Sequence, residues 1–393
     1  MTYRVNALRK AHRCIGAESE CAAPSDGAER STGAVAAAGS RGRHIREMKT
    51  PAYAAPVARA PLVPFTIERR EPGPHDVLID IRYCGVCHSD IHQVRDEWGG
   101  AVYPLVPGHE IAGVVAQTGA AVTRWKVGDV VGVGVFVDSC RRCPACRAGE
   151  EQYCERQVSW TYNSTEQDGR TPTFGGYATR ITVDEAYVLR MPAALSLDRA
   201  APLLCAGITT YSPLRHFGVR PGDPIGIVGL GGLGHIAVRL AKAMGAHVTV
   251  LSHSPAKRDD ARRLGADDFL ATGDPGVFER NLKRFTFILD TVSAAHGYDP
   301  YLELVRRDGV MVLVGLPESA PLGAPALINA RRRLAGSNVG GIRETQEMLD
   351  FCAQHGVAAD IERIPIQQVN EAYDRAVRSD VRYRFVIDLA SLT

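Results

Sequence analysis

The sequence predicts two domains of unlike texture, one β-rich and one doubly wound α/β, and three observations carry that reading. Asp76-Val-Leu-Ile-Asp-Ile-Arg82 alternates apolar with polar residues, as a half-buried strand does. Asp223-Pro-Ile-Gly-Ile-Val228, Gly229-Leu-Gly231-Gly-Leu-Gly234 and the run His235 to Met244 read in succession as a buried strand, a tight turn and a helix closed by Gly245. Strand-like runs then recur at Val248–Leu251, Phe285–Leu289 and Val310–Val314, an alternation that winds into a parallel sheet covered on both faces. With 393 residues, 45% of them hydrophobic, the chain is long enough for two separate cores.

Residues 1–47 are rich in Ala, Gly, Ser and Arg and lack hydrophobic periodicity, so an extension without a fold is expected there, with Cys14 and Cys21 as passengers. Glu18, Glu20, Asp26, Glu29 and Glu47 spoil the acid-poor pattern of a transit peptide, and Met48 is a candidate first residue. From Thr66 the β-like runs begin; Ile111–Val115 and Asp129–Val133 follow Asp76–Arg82, punctuated by Gly and Pro, and the polar clusters between them are expected in loops. The stretch Cys84-Gly-Val-Cys87-His88-Ser89-Asp90-Ile91-His92 gathers two thiols, two imidazoles, a hydroxyl and a carboxylate in nine residues. Thiolate and imidazole together suit zinc. His109 in Gly108-His109-Glu110 and Cys205 in Leu204-Cys205-Ala206 are further candidate ligands, although each can equally be read as an ordinary buried residue.

Next comes Cys140-Arg-Arg-Cys143-Pro-Ala-Cys146, with Cys154 after a spacer. Four thiolates so spaced close a tetrahedron with no open position, which reads as a structural zinc lobe. A zinc ribbon that reads nucleic acid needs basic flanks, whereas Glu150, Glu151 and Glu155 adjoin here; iron–sulfur spacings differ. A net charge of +2 with interspersed signs gives no case for nucleic acid or a membrane surface, and no apolar run approaches the roughly 20 residues of a bilayer span. Cysteines at metal spacings rather than in a disulfide framework point to the cytoplasm.

The glycine turn follows a strand and opens a helix, the context in which backbone N–H groups hold a pyrophosphate. An NAD site would place Asp or Glu at the end of the second strand, but the chain reads Leu251-Ser252-His253-Ser254-Pro255-Ala256-Lys257-Arg258. Hydroxyls and cations there favour the 2′-phosphate of NADP, and Asp259 and Asp260 are expected on a solvated face. The tail holds a helical stretch, Arg343 to Gln354, and a β run, Arg384–Asp388, assigned back to the first domain.

Taken together, Cys84–His92, Pro107-Gly-His-Glu110, the four-cysteine lobe, Leu204-Cys-Ala-Gly-Ile-Thr-Thr-Tyr-Ser-Pro213, Gly229–His235 and Asp380-Val-Arg-Tyr-Arg-Phe385 resemble the zinc-dependent medium-chain alcohol dehydrogenases, within them the cinnamyl alcohol dehydrogenase branch and its bacterial broad-range NADP-dependent aldehyde reductases. The resemblance runs from about Met48 to the C-terminus. It implies a β-rich GroES-like catalytic domain over 48–205 and 342–393 and a Rossmann nucleotide-binding domain over 206–341.

It also implies a catalytic zinc on Cys87, His109 and Cys205, with Glu110 as an alternate ligand, and a structural zinc on Cys140, Cys143, Cys146 and Cys154. Cys84 matches a non-ligand cysteine, Asp90 the partner of a ligand imidazole, and Ser89 and His92 a proton relay through the cofactor ribose. Thr209, the turn Gly229, Gly231, Gly232, Leu233 and Gly234, then Ser252, His253, Ser254 and Lys257, and Ser337 and Asn338 at the head of a segment reaching Gly340, fall at NADP(H)-binding positions. His253 departs from the Ser or Thr common there. The implied reaction is reversible hydride transfer between NADPH and a small aldehyde, aromatic or aliphatic, in a homodimer joined through its nucleotide domains. A narrow hydroxycinnamyl enzyme and a catalytically idle NADP-binding protein are the alternatives. Trp98, Trp125 and Trp160 are candidates either for substrate walls or for packing.

Overall fold

The computed structural model describes residues 47–319 and 321–392. The expected unfolded extension, with Cys14 and Cys21, lies outside the described residues except at Glu47, which opens the strand Glu47–Ala54 instead. That strand pairs antiparallel with Val63–Arg70, a hairpin that begins before the first β run read from the sequence.

Asp76–Gly85 is the spine of the first sheet. Its inward residues Val77, Ile79 and Ile81 are buried, and Ile79 lies opposite Val115 on the neighbouring strand Ile111–Thr118. Across the sheet the order is Leu189–Arg190, Val130–Val133, Ile111–Thr118, Asp76–Gly85, Arg384–Asp388 and Ile361–Pro365, with Arg180–Asp184 paired to the first half of the spine. The tail strand therefore lies inside this sheet, between the spine and Ile361–Pro365, with Val386 opposite Gly85 and Ile387 opposite Cys84.

One expectation fails here. The cysteine-histidine cluster does not lie in a loop: Cys87 is the N-cap of the helix His88–Val94, and its N–H donates to Asp90 Oδ2 at 2.9 Å. A carboxylate in the first turn satisfies a donor that the helix leaves free, which stabilises so short a helix. Seven residues with two aliphatic side chains are too few to display a helical period, so the sequence hid it.

The second sheet has six parallel strands in the order Asp268–Ala271, His247–Ser252, Pro224–Val228, Phe285–Asp290, Val305–Leu313 and Arg333–Gly336. Chain order reverses between Pro224–Val228 and Phe285–Asp290, and such a switch point opens a crevice at the carboxyl ends of the strands. The helix after the glycine turn spans Gly234–Ala243, and Gly245 adopts a φ of 84° just beyond it, a left-handed conformation that glycine enters without steric cost. Asp260 is not on a solvated face: its carboxylate pairs with Arg382 of the tail at 2.7 Å and with Arg263 at 3.5 Å. The chain's return to the first sheet brings Arg382 to it, whereas Arg263 lies three residues on along the same helix.

Candidate functional site

Four donor side chains converge at the end of the spine strand: Cys87, His109, Glu110 and Cys205 are all buried, and one ligand atom from each lies within 4.8 Å of the others. The two sulfurs are 3.9 Å apart, too far for a disulfide at about 2.05 Å and suited to two corners of one coordination shell. His109 Nε2 and Glu110 Oε2 have no hydrogen-bond partner although both are buried. Unsatisfied buried polar atoms aimed at one point are costly, and a cation among them removes the cost. The hydrogen bond from Cys205 holds the Cys87 thiol well below its ordinary range, against the effect of burial, so the site supplies a thiolate. The two thiolates and the imidazole fit three corners of a zinc shell, and the Glu110 carboxylate lies within reach of the fourth.

Asp90 orders this shell from behind. Fully buried, it accepts from Cys87 N, from Gly108 N at 3.2 Å and from Tyr177 OH at 3.2 Å, and its Oδ1 lies 3.6 Å from His109 Nδ1. The His109 ring lies parallel to Tyr162 at 5.6 Å between centroids. Tyr177 follows two glycines, and a Cβ on Gly175 would collide with Pro107 O, which is why this irregular segment can press so close to the ligand loop. Cys84 is buried beside Gly108 and Gly176 rather than among the four donors.

Arg384 is the functional residue that sequence reasoning missed. It is 6% exposed, its Nη2 pairs with Glu110 Oε1, and a Cβ on Gly232 would lie 2.9 Å from its Nη1. One guanidinium thus touches both the donor cluster and the glycine turn. The motif Asp380–Phe385 was visible, but nothing in it says that this arginine points inward. On the other side, a Cβ on Gly85 would collide with Glu110, so the carboxylate fits only because that position has no side chain.

Ser89 Oγ lies 3.6 Å from Cys87 Sγ. His92, three residues on along the same short helix, pairs through Nδ1 with Glu97 and stacks on Trp98 at 4.8 Å. Trp160 packs edge-on to Phe136 at 6.4 Å, and Trp125 Nε1 donates to Glu185 O at 3.0 Å. Trp98 is thereby in contact with a residue singled out for the site.

The crevice of the second sheet is lined as follows. Gly229 has a φ of 90°, and a Cβ on Gly234 would collide with Gly229 O, so the turn is tight enough to need its glycines. Ser252 is buried at the end of its strand, His253 is exposed and Ser254 half-buried. Lys257 Nζ donates to Leu230 O at 2.9 Å, tying this segment to the glycine turn. Thr209 is buried in the helix Ala206–His216, one turn beyond Cys205, whose carbonyl accepts its N–H at 2.9 Å. Ser337 and Asn338 follow the last strand, and Asn338 N donates to Tyr153 OH at 3.1 Å.

Beneath the crevice lies a pair that the sequence did not reveal. His296 Nε2 donates to the buried Asp290 at 2.8 Å and Nδ1 to Ala294 O at 2.9 Å, so both nitrogens carry protons, and the Asp290 hydrogen bond raises the imidazole above its ordinary value. A folded-state value above the unfolded one gives stability that is complete below the unfolded pKa of about 6.5 and disappears as pH rises through the raised value. The urea midpoint of the wild type is therefore expected to fall between about pH 6 and about pH 9 by more than that of His296→Gln. Equal falls would remove the pair from the account.

In the lobe, Cys140, Cys143, Cys146 and Cys154 also bring their sulfurs within 4.8 Å of one another. Backbone N–H groups turn toward them: Cys140 N lies 3.4 Å from Cys154 Sγ and Cys143 N 3.4 Å from Cys140 Sγ. Such donors stabilise thiolates, and four thiolates leave no coordination position open.

Residues 73–193 match the alcohol dehydrogenase GroES-like domain, and residues 232–354 match the zinc-binding dehydrogenase domain. The chain is 59% identical over 344 residues to NADP-dependent alcohol dehydrogenase C 1 of Mycolicibacterium smegmatis, covering 87% of this chain and 98% of that protein. It is 54% identical over 350 residues to aldehyde reductase YahK of Escherichia coli, covering 88% and 100%. Among solved structures, a cinnamyl alcohol dehydrogenase of Sorghum bicolor superposes with a TM-score of 0.85 at 46% identity, over 87% of this chain and 98% of that one.

Proposed function

Because the chain belongs to the zinc-binding alcohol dehydrogenase family, whose two domain types it matches in order, we propose that its two cysteine-containing clusters hold two zinc ions and that its crevice takes NADP(H). The protein is an NADP-dependent alcohol dehydrogenase and aldehyde reductase that interconverts small aldehydes and alcohols. The observation that carries the site is Arg384, which pairs with Glu110 among the metal donors and packs on Gly232 of the nucleotide turn, so the two half-sites face one space.

Zinc on Cys87, His109 and Cys205 supplies Lewis acidity toward a carbonyl oxygen, and NADPH supplies hydride. The chain's own residues do the rest. Asp90 fixes the His109 ring, and Glu110, held by Arg384, stands beside the shell as its alternate oxygen. Ser89 hands a proton toward the product oxygen, and His92 exchanges it with solvent, an imidazole task near neutral pH. Thr209 borders the nicotinamide, the N–H groups of the turn Gly229–Gly234 receive the pyrophosphate, and Ser337 and Asn338 lie along the far edge. Ser252, Ser254 and Lys257 receive the 2′-phosphate; His253, exposed as it is, adds at most a rim contact.

The domains assigned to this work are 48–205 with 342–393 for catalysis and 206–341 for the nucleotide. Among the described residues no strand pairs with the outer edge of Arg333–Gly336, and a second copy joining there gives the proposed homodimer. No described helix is long and apolar enough to cross a membrane, and free cysteines at metal spacing suit the cytoplasm proposed for it.

Zinc content and NADPH oxidation with benzaldehyde and with cinnamaldehyde test the reading. Two zincs and turnover of both aldehydes are expected; no turnover would reduce the protein to a cofactor binder, and activity on cinnamaldehyde alone would make it narrow. In the same assay Ser252→Asp sets a carboxylate against the 2′-phosphate and is expected to weaken NADPH by at least about tenfold while leaving NADH. An unchanged preference would mean that the phosphate is read elsewhere.

A further inference from the structure

His235, the residue after the glycine turn, has no task in the reading above, yet it is wholly buried between the two domains. Its Nδ1 donates to Gly231 O at 3.1 Å, and the lone pair of its Nε2 accepts from Asp360 N at 3.3 Å. The ring stacks on Tyr383 with 4.8 Å between centroids and an 18° interplanar angle. Both hydrogen bonds require the neutral tautomer with its proton on Nδ1, and burial, which pushes the imidazole down to about 3, keeps it so.

Asp360, the partner, is a junction. Its carbonyl accepts from Tyr383 N at 3.0 Å and from Arg384 N at 3.2 Å. Its carboxylate meets Arg239 at 2.7 Å, on the helix that starts at the glycine turn, Arg263 at 2.8 Å, on the helix after the 2′-phosphate segment, and Arg199 at 3.5 Å, from the catalytic domain. A continuous path therefore runs from Gly231 O through His235, Asp360 N–H and Asp360 O to Arg384, and from Arg384 to Glu110 among the metal donors.

This path matters at the turn because glycines carry no side chains to hold their peptide planes. In a trans peptide the carbonyl of one residue and the N–H of the next point in opposite directions. Gly231 O receives both the backbone N–H and the ring N–H of His235, which fixes the Gly231–Gly232 plane and aims Gly232 N–H away from the helix, toward the anion side.

We propose that His235 is a positioning residue: with Asp360 it ties the anion-binding glycine turn to Arg384, so that the cofactor's phosphate cradle and the metal site keep one geometry. The inference rests on the NADP(H) reading of the crevice and goes beyond it in giving His235 and Asp360 a task.

The test is NADPH binding to the full chain, followed by nicotinamide fluorescence, with zinc content and kcat and KM measured on the same preparations. His235→Phe keeps an aromatic ring against Tyr383 and loses both hydrogen bonds. It is expected to raise the NADPH dissociation constant and KM roughly tenfold, with zinc content unchanged. His235→Gln, whose amide oxygen can accept from Asp360 N, is expected to recover part of that loss and serves also if the Phe variant fails to fold. Wild-type affinity in both variants, or a loss that tracks zinc content, overturns the inference alone. A wild-type chain that binds no NADPH overturns the cofactor reading and this inference with it.

Discussion

Cys205→Ser is expected to lower turnover of benzaldehyde by on the order of 1000-fold or more, because the loss of Lewis-acid stabilisation is worth several kcal/mol in the transition state. A serine hydroxyl is a poor substitute for thiolate toward zinc, and Cys205 sits 3.9 Å from Cys87 in a shell whose other donors are His109 and the adjacent Glu110. Zinc content should fall from two per chain to one, since the four-cysteine lobe is separate. NADPH should still bind, because the glycine turn and the segment Ser252–Lys257 supply none of the donors grouped with Cys205. Activity within a few fold of wild type, or two zincs retained, would sink this ligand set.

Arg384→Met is expected to cost about 3–5 kcal/mol of unfolding free energy, the usual result of stripping one partner from a buried ion pair. Glu110 is wholly buried and Arg384 is 6% exposed, so neither charge can turn to water. Burial pushes the Glu110 carboxyl up, and the Arg384 guanidinium beside it opposes that shift and keeps the charged form favoured. Without the arginine the acid is left unpaired in the buried space that Gly85 leaves for it. Denaturant midpoints decide: the companion variant Glu110→Gln/Arg384→Met, with no charge at either position, should recover most of the loss. A single variant that costs under about 1 kcal/mol would mean that the pair is solvated after all.

The sequence was read most successfully where chemistry is local. The strands at the second sheet's core announced themselves as continuous apolar runs, because a parallel strand covered on both faces has no polar side to interrupt it. The lobe was legible because its four cysteines fall within fifteen residues. Cys87, His109 and Cys205, by contrast, were separated by more chain than spacing can bridge, and resemblance to a family brought them together before the structure did. Other features left no trace in sequence. The helix His88–Val94 is shorter than two helical periods of about 3.6 residues each, and Arg384, Asp360 and His235 owe their importance to what folds over them. A residue type names a capability, while burial and partners decide whether it is used.

The lobe reaches further than its own cysteines. Tyr153 OH accepts from Asn338 N, Glu151 Oε2 accepts from Ile342 N at 3.1 Å, and Ala148 O accepts from Arg343 at 2.9 Å. These are the residues over which the chain passes from the last strand of the nucleotide sheet into the helix Ile342–His355, and a Cβ on Gly341 would collide with Gly149 O. In mechanical terms the lobe is the fixed support of a short beam: rotation of one domain against the other must bend this crossing where it is clamped. Stiffness at the crossing is set by a lobe whose four sulfurs share no residue with the donor cluster of Cys87, His109, Glu110 and Cys205.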